Sequence, residues 1–195
     1  MKTTIFLFAL GFIALALPVV APAQTASGYA GEETREVKSL SAQDIDDLRN
    51  GRGWGLAKSA ELNGYPGPRH VLNMKKEIGL TREQEAQIEG IFASMKAEAI
   101  PLGVRLIALE KQLDELYTER TVDDENLRVK LGEIGEALSR LRFVHLSAHL
   151  KMPKILTVQQ VKKYNELRGY GKGDPCKNVP AGHDPEMWKQ HNGCN

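Results

Sequence analysis

The chain has 195 residues and is almost neutral, with 26 Lys and Arg against 25 Asp and Glu. This balance excludes the broad basic surface by which proteins bind nucleic acid, so we expect no nucleic-acid partner. Aromatic residues make up 6% of the chain. Residues 80–168 are dominated by Leu, Ala, Glu, Lys and Arg, which indicates long helices rather than a β-sandwich or a β-barrel.

The first 23 residues predict an export signal. Lys2 gives a positive start, Ile5 to Val20 is apolar, and Ala21 to Ala23 has the small-x-small pattern that precedes a cleavage site. We therefore expect residues 1–23 to be removed and the mature protein to work in the periplasm. The alternative is an uncleaved membrane anchor, although this apolar run is shorter than the ~20 residues that span a bilayer.

Short elements are predicted in the segment that follows the signal. Residues 24–40 are small and polar without a sustained period, which predicts a flexible stretch. Ser41 and Asp44 are typical of a helix start, because the Ser hydroxyl accepts an amide hydrogen and the acid favours the first turn. Three glycines within 51–55 end this helix, and 54–62 predicts another short helical turn.

A helix over about 68–77, ended by Gly79, precedes the strongest pattern in the chain. Apolar or small residues recur at alternating spacings of four and three from Ile88 to Leu116, and again from Leu127 to Met152. Each run predicts a helix whose apolar seam faces another helix. A polar turn at about 120–125 separates the runs, so together they predict an antiparallel helical hairpin.

The two runs mirror each other, which predicts the pairs Leu116 with Leu127, Leu106 with Leu138, and Ala99 with His145. Pro101 lies inside the first long helix and is expected to bend it, because proline removes a backbone hydrogen bond. Pro153 ends the second long helix, and Thr157 begins a last helix that reaches about Arg168.

Two copies of the pattern Leu-Thr-x-x-Gln stand before the first long helix and before the last helix. They consist of Leu80, Thr81 and Gln84, and of Leu156, Thr157 and Gln160. Each predicts a capping box, in which the Thr hydroxyl accepts from the amide three residues on and the Gln reaches back to the Thr amide. In an exported chain with a bent hairpin, the two copies resemble the LTxxQ-motif periplasmic family. That family includes Spy/CpxP-type stress chaperones and periplasmic heavy-metal sensor and zinc-resistance-associated proteins.

The resemblance covers about residues 66–170 and implies an all-α fold. The fold would be a bent antiparallel hairpin with flanking short helices, in a hooked four-helix arrangement, and a homodimer with a concave face. We accordingly divide the chain into a signal peptide (1–23), a leader with short helices (24–65), the hairpin domain (66–170) and a flexible tail that contains Cys and His (171–195).

Members of this family differ in function, and the resemblance implies two alternatives. The first is a non-enzymatic, ATP-independent holdase of envelope stress, which needs no cofactor and has unfolded clients, a sensor kinase or a sigma-regulator system as partners. The second is a sensor or resistance protein that binds Zn, Ni or Cu. The chain has no G-x-S-x-G, P-loop, H-E-x-x-H or C-x-x-C motif, so we do not expect an enzyme.

Five residues are candidate metal ligands. His145 and His149 lie four apart on one helix face, a spacing that can chelate Zn, Ni or Cu. With His70, Met74 and Glu89 they partly match the metal site that the resemblance to the sensor branch implies. The alternatives are that the imidazoles are a polar interruption that fixes the hairpin register, and that Met74 is a packing residue.

Two further groups of residues carry functional hypotheses. The resemblance implies that Arg105, Arg140 and Arg142 help to bind acidic, partly unfolded clients, whereas interleaved charges on a helix usually form a solvated face. Export favours a disulfide between Cys176 and Cys194, the two cysteines of the chain. The alternative there is a Zn site made by the two cysteines with His183 and His191.

Overall fold

The computed structural model describes residues 27–170, 176, 179, 184–191 and 193–194, and the predicted signal peptide lies outside them. The described residues are mostly helical and include no β-strand, which confirms the all-α class. They belong to two compact units, of which the first ends at Glu33 and the second begins at Thr34. The core and the candidate sites lie in the second unit.

The secondary structure consists of short helices on either side of two long ones. Among the described residues the α-helices are α1 (Ala42–Arg49), α2 (Lys58–Glu61), α3 (Pro68–Asn73), α4 (Lys75–Ile78), α5 (Arg82–Thr118), α6 (Asp124–Lys151), α7 (Val158–Leu167) and α8 (Pro185–His191), with 3-10 helices at Glu32–Thr34 and Met152–Lys154. In this part of the chain no helix is both long and apolar enough to cross a membrane.

The long helices α5 and α6 pack against each other, as the seam pattern predicts. Helix α5 passes through Pro101 without a break. The connection 119–123 reverses the chain, and the side chain of Asp123 caps α6 by accepting from two backbone amides. Near this turn Lys130 Nζ donates to Gln112 Oε1 at 2.7 Å, so residues close to the turn on one helix meet residues close to it on the other. This pairing is that of an antiparallel hairpin.

The segment before the hairpin contributes to its core. Val37 and Leu40 are buried with residues of α1, α5 and α6, so the prediction of a flexible stretch over 24–40 is wrong for these residues. The amide of Lys38 donates to Asp114 on α5 at 2.6 Å. The turn that carries Val37 and Leu40 is too short to show a hydrophobic period in the sequence. It can nevertheless pack against α5 and hydrogen-bond to it.

Helix α1 begins at the predicted cap. The Ser41 side chain accepts from the amide of Asp44, and the Asp44 carboxylate accepts from the amide of Ser41, so the two form a capping box. The helix packs on α5 at Gly103. A Cβ atom added there would overlap the Leu48 carbonyl oxygen and lie 2.9 Å from its carbonyl carbon. Only glycine therefore allows α1 to approach α5 this closely.

The two Leu-Thr-x-x-Gln motifs contact each other. Thr81 and Thr157 both accept from the amide of their Gln at 3.2 Å, which completes a capping box at each helix start. In addition, Gln84 and Gln160 exchange two side-chain hydrogen bonds of 2.9 Å. Gln84 also donates to the Ile155 carbonyl at 2.8 Å. The motif therefore joins the start of α7 to the start of α5, beyond capping each helix.

Two regions differ from the predicted elements. The single helix predicted over 68–77 is divided into α3 and α4, because the backbone at Met74 leaves helical geometry while its side chain packs in a second core cluster. Gly79 ends α4 in the left-handed region, with φ of 71°. The predicted tail contains α8, whose start is capped by the Asp184 carboxylate.

Candidate functional site

A pocket of about 790 Å³ opens between the segment 50–70 and the side of α5 and α6. Its wall includes His70 and, on α6, His145 and His149. We call it the histidine pocket. The two residues of α6 are buried and share one helix face. The fold therefore brings three of the five predicted metal ligands to one place.

The orientation of His149 is fixed by the backbone. Its Nδ1 lies 2.8 Å from the carbonyl oxygen of Tyr65; a carbonyl can only accept, so Nδ1 carries the proton and donates. In the neutral form of this ring the second nitrogen, Nε2, is the acceptor. A Cβ added at Gly67 would lie 3.2 Å from this Nε2 and 3.0 Å from Cε1. Glycine at that position therefore leaves room for the imidazole.

His145 is the most deeply buried polar residue of the pocket wall. Its exposed fraction is 2%, and its Nε2 has no hydrogen-bond partner. Burial, with a smaller contribution from neighbouring His149, lowers the pKa of His145 below the ordinary value. The imidazole is therefore neutral near pH 7. An unpaired buried nitrogen costs free energy, so this atom is a candidate contact for a bound molecule.

Glu61 on α2 is the centre of a polar cluster beside the pocket. Its carboxylate accepts a hydrogen bond from Tyr164 and another, at 3.1 Å, from Tyr170, and it pairs with Arg168 at 3.2 Å. His149 Nδ1 lies 3.7 Å from the same carboxylate. Burial first, and then the hydrogen bond to Glu61, raise the pKa of Tyr164. The cluster joins α2, α6 and α7 and closes one side of the pocket.

The other predicted ligands lie elsewhere. Met74 packs in the second core cluster and Glu89 is exposed, and neither lines the pocket. His70 is half-buried, and burial followed by the nearby Arg168 charge lowers its pKa. Within the described stretches, no three His, Cys, Asp or Glu side chains are grouped closely enough to hold a metal ion. The predicted set of five ligands is therefore not assembled.

A second surface feature lies on the outer side of α6. Val129, Phe143 and Leu150 are separated by multiples of seven residues and are all exposed, Phe143 to 71%. Arg140 and Arg142, three residues and one residue before Phe143, are also exposed. We call these five residues the outer stripe. Exposed apolar side chains on one face of a long helix are a candidate contact surface for another molecule.

No family model, curated protein or solved structure matches this chain. The resemblance based on the two Leu-Thr-x-x-Gln motifs therefore stays a prediction.

The predicted residues outside the pocket and the stripe have these positions. Arg105 is exposed on α5 next to Val104, which is also exposed. Cys176 and Cys194 form a disulfide, with Cα atoms 5.4 Å apart. The alternative Zn site of the tail includes His183, which lies outside the described residues.

Sequence reasoning missed the Glu61 cluster and the three apolar residues of the outer stripe. Glu61 lies in a short helix far in sequence from its partners on α7, and no local spacing connects them. The stripe had a signal in the sequence, since Phe143 and Leu150 repeat at seven residues like the buried seam. That signal is weak because the charged Glu136 occupies the stripe position between Val129 and Phe143.

Proposed function

We propose that this protein is a non-enzymatic, ATP-independent holdase that binds partly unfolded proteins in the periplasm. The observation that carries the proposal is the outer stripe, where Phe143, Leu150 and Val129 are held exposed on a long, well-packed helix. An unfolded client exposes apolar segments, and burying them against such side chains gains about 25 cal/mol per Å² of apolar surface.

The charged residues of the outer stripe suit transient binding. Arg140 is paired only loosely with Glu136, at 3.7 Å, and both side chains are more than half exposed, so the ion pair adds little stability. Its guanidinium is available to a client carboxylate. Charge attraction of this kind speeds encounter more than it strengthens the final complex. A holdase needs rapid capture and release rather than tight binding.

A test uses the aggregation of reduced α-lactalbumin without nucleotide. The wild-type protein should suppress light scattering at a few-fold molar excess. Phe143→Ser should require about fivefold more protein for equal protection, the factor that corresponds to a loss of ~1 kcal/mol. The double variant Arg140→Glu and Arg142→Glu should mainly slow capture.

The matched control for this test is Val158→Ser. Val158 is 81% exposed on α7, outside the stripe, so this change removes exposed apolar surface without touching the proposed client site. Equal protection by wild type, Phe143→Ser and Val158→Ser would exclude the outer stripe as the client surface. Absence of any protection by the wild type would exclude the holdase function itself.

The proposal also includes export and assembly. The predicted signal over residues 1–23 supports delivery to the periplasm, where the disulfide in the tail is stable. The family resemblance supports a homodimer in a hooked four-helix arrangement. The outer stripe could be the dimer interface or the client surface, and sedimentation velocity of wild type and Phe143→Ser distinguishes the two. If the stripe is the dimer interface, the variant should sediment as a monomer. If it is the client surface, the variant should sediment like the wild type.

Binding of a transition metal is a second candidate function. The observation that favours it is the pair of imidazoles on α6, since His149 has Nδ1 held by a backbone carbonyl and His145 has an unpartnered Nε2. A hydrogen bond from the remote ring nitrogen is the usual support of a metal-bound histidine. Zn, Ni or Cu would bind Nε2 of His145 and Nε2 of His149, with solvent or a further side chain completing the coordination.

Calorimetry with Zn, Ni and Cu tests this alternative. His145→Ala and His149→Ala should each weaken binding by about tenfold or more, since each removes one metal ligand. Cys176→Ser should leave the affinity unchanged. The lowered pKa of His145 predicts that proton competition at this ligand begins below the ordinary imidazole value of ~6.5. Metal uptake that survives the loss of both histidines would contradict the assignment.

A further inference from the structure

The histidine pocket has a positively charged wall. Arg52, Lys58, Arg69, Lys96 and Arg168 line it, whereas Glu61 is the acidic residue of the lining. Arg52 and Arg168 are paired with carboxylates. Within the described chain no ion pair engages the other three cations. A concave wall with this excess of positive charge attracts anions.

Apolar and aromatic side chains form the rest of the wall. Phe92 lies one helical turn before Lys96 on α5, so the two residues share one helix face, and both are half-buried and line the pocket. Trp54 faces the same space. Its indole N–H donates to Asp44 at 2.7 Å, which fixes the ring. Its φ of 42° lies in the left-handed region that bulky residues rarely adopt.

The size of the pocket and its unused polar atom point to an organic molecule. A volume of about 790 Å³ is within the range of small-molecule sites and far exceeds what a single metal ion needs. His145, at the buried end, has an Nε2 without a partner and can hydrogen-bond to a ligand oxygen. A site that combines positive charge, flat apolar walls and one orienting polar atom suits an amphipathic anion.

We propose that the histidine pocket binds a small organic anion with a flat apolar body, whose acidic group pairs with Lys96 and whose ring system lies against Phe92 and Trp54. This site is separate from the outer stripe, so it does not depend on the holdase function. Binding here would also join the segment 50–70 more firmly to α5 and α6, because the ligand contacts both sides of the pocket.

Calorimetry of the full mature chain in EDTA, with 1-naphthoate and its neutral analogue 1-naphthamide as probes, tests the proposal. We expect saturable binding of one naphthoate per chain, and affinity for the amide weaker by about tenfold or more, because a charge-assisted hydrogen bond is lost. Equal affinity for both probes, or no binding of naphthoate, would overturn the proposal. So would binding that appears only when Zn replaces EDTA, since that result belongs to a metal site.

Variants then locate the bound probe. Lys96→Gln should weaken naphthoate binding about tenfold and leave naphthamide binding nearly unchanged. Arg69→Gln, at an exposed position that folding tolerates, should weaken naphthoate binding less. The matched control is Lys111→Gln on the same helix but outside the pocket, for which we expect no change. Naphthoate binding that survives Lys96→Gln with Arg69→Gln, or that is lost in Phe143→Ser, would show that the probe binds elsewhere.

Discussion

Gly103→Ala should lower the free energy of unfolding by about 3 kcal/mol, which is large for the addition of one methyl group. The new Cβ would overlap the carbonyl oxygen of Leu48. That oxygen is backbone and cannot turn aside as a side chain can. Helix α1 would have to move away from α5, which would expose Leu48 and Ile45, both buried in the main core.

The same helix offers a control with the opposite sign. A Cβ added at Gly90 has no neighbour within 4 Å, so Gly90→Ala should raise the free energy of unfolding by about 0.5–1 kcal/mol through better helix propensity. Urea denaturation followed by circular dichroism measures both changes. Similar stabilities for the two variants would mean that α1 does not pack against α5 at Gly103.

Leu106→Ala should cost about 2–5 kcal/mol, because it leaves a cavity in the core between the long helices. The Leu106 side chain is 2% exposed and belongs to the main core cluster. Its predicted partner Leu138 is only partly buried, so Leu138→Ala should cost less.

Leu131→Ala is the matched control for the cavity prediction, because Leu131 is 51% exposed on α6. We expect its effect to stay within about 0.5 kcal/mol of wild type, as for most surface substitutions. The midpoints of urea unfolding compare all three variants. A cost for Leu106→Ala no greater than that for Leu131→Ala would contradict the packing of α5 against α6.

Much of the fold was predictable because its signals are local and repeated. The four-three spacing of apolar residues gave both long helices, and the capping residues Ser41, Thr81 and Thr157 gave helix starts that the structure contains. The docking of Val37 and Leu40 was not predictable, since it depends on contacts with α5 far along the chain. The hydrogen bonds between Gln84 and Gln160 were missed for the same reason.

The candidate sites were predictable only where their residues lie on the same helix. The shared face of His145 and His149 follows from their spacing, whereas their surroundings do not. Glu61, Lys96 and Trp54 reach the pocket from different elements, and no spacing along the chain connects them. Met74 and Glu89 entered the predicted ligand set through the family resemblance, whereas in the structure Met74 packs in the second core cluster and Glu89 is exposed.

Site-specific photocrosslinking tests most directly whether the outer stripe binds clients. A photoreactive benzoylphenylalanine would replace Phe143 in one protein and Val158 in another, both exposed in the folded chain. Irradiation with reduced α-lactalbumin should give an abundant crosslinked product from position 143 and little from position 158. Native, oxidised lactalbumin should give little product from either position. Equal yields from both positions, or a yield from position 143 that does not depend on unfolding of the client, would contradict the proposed function.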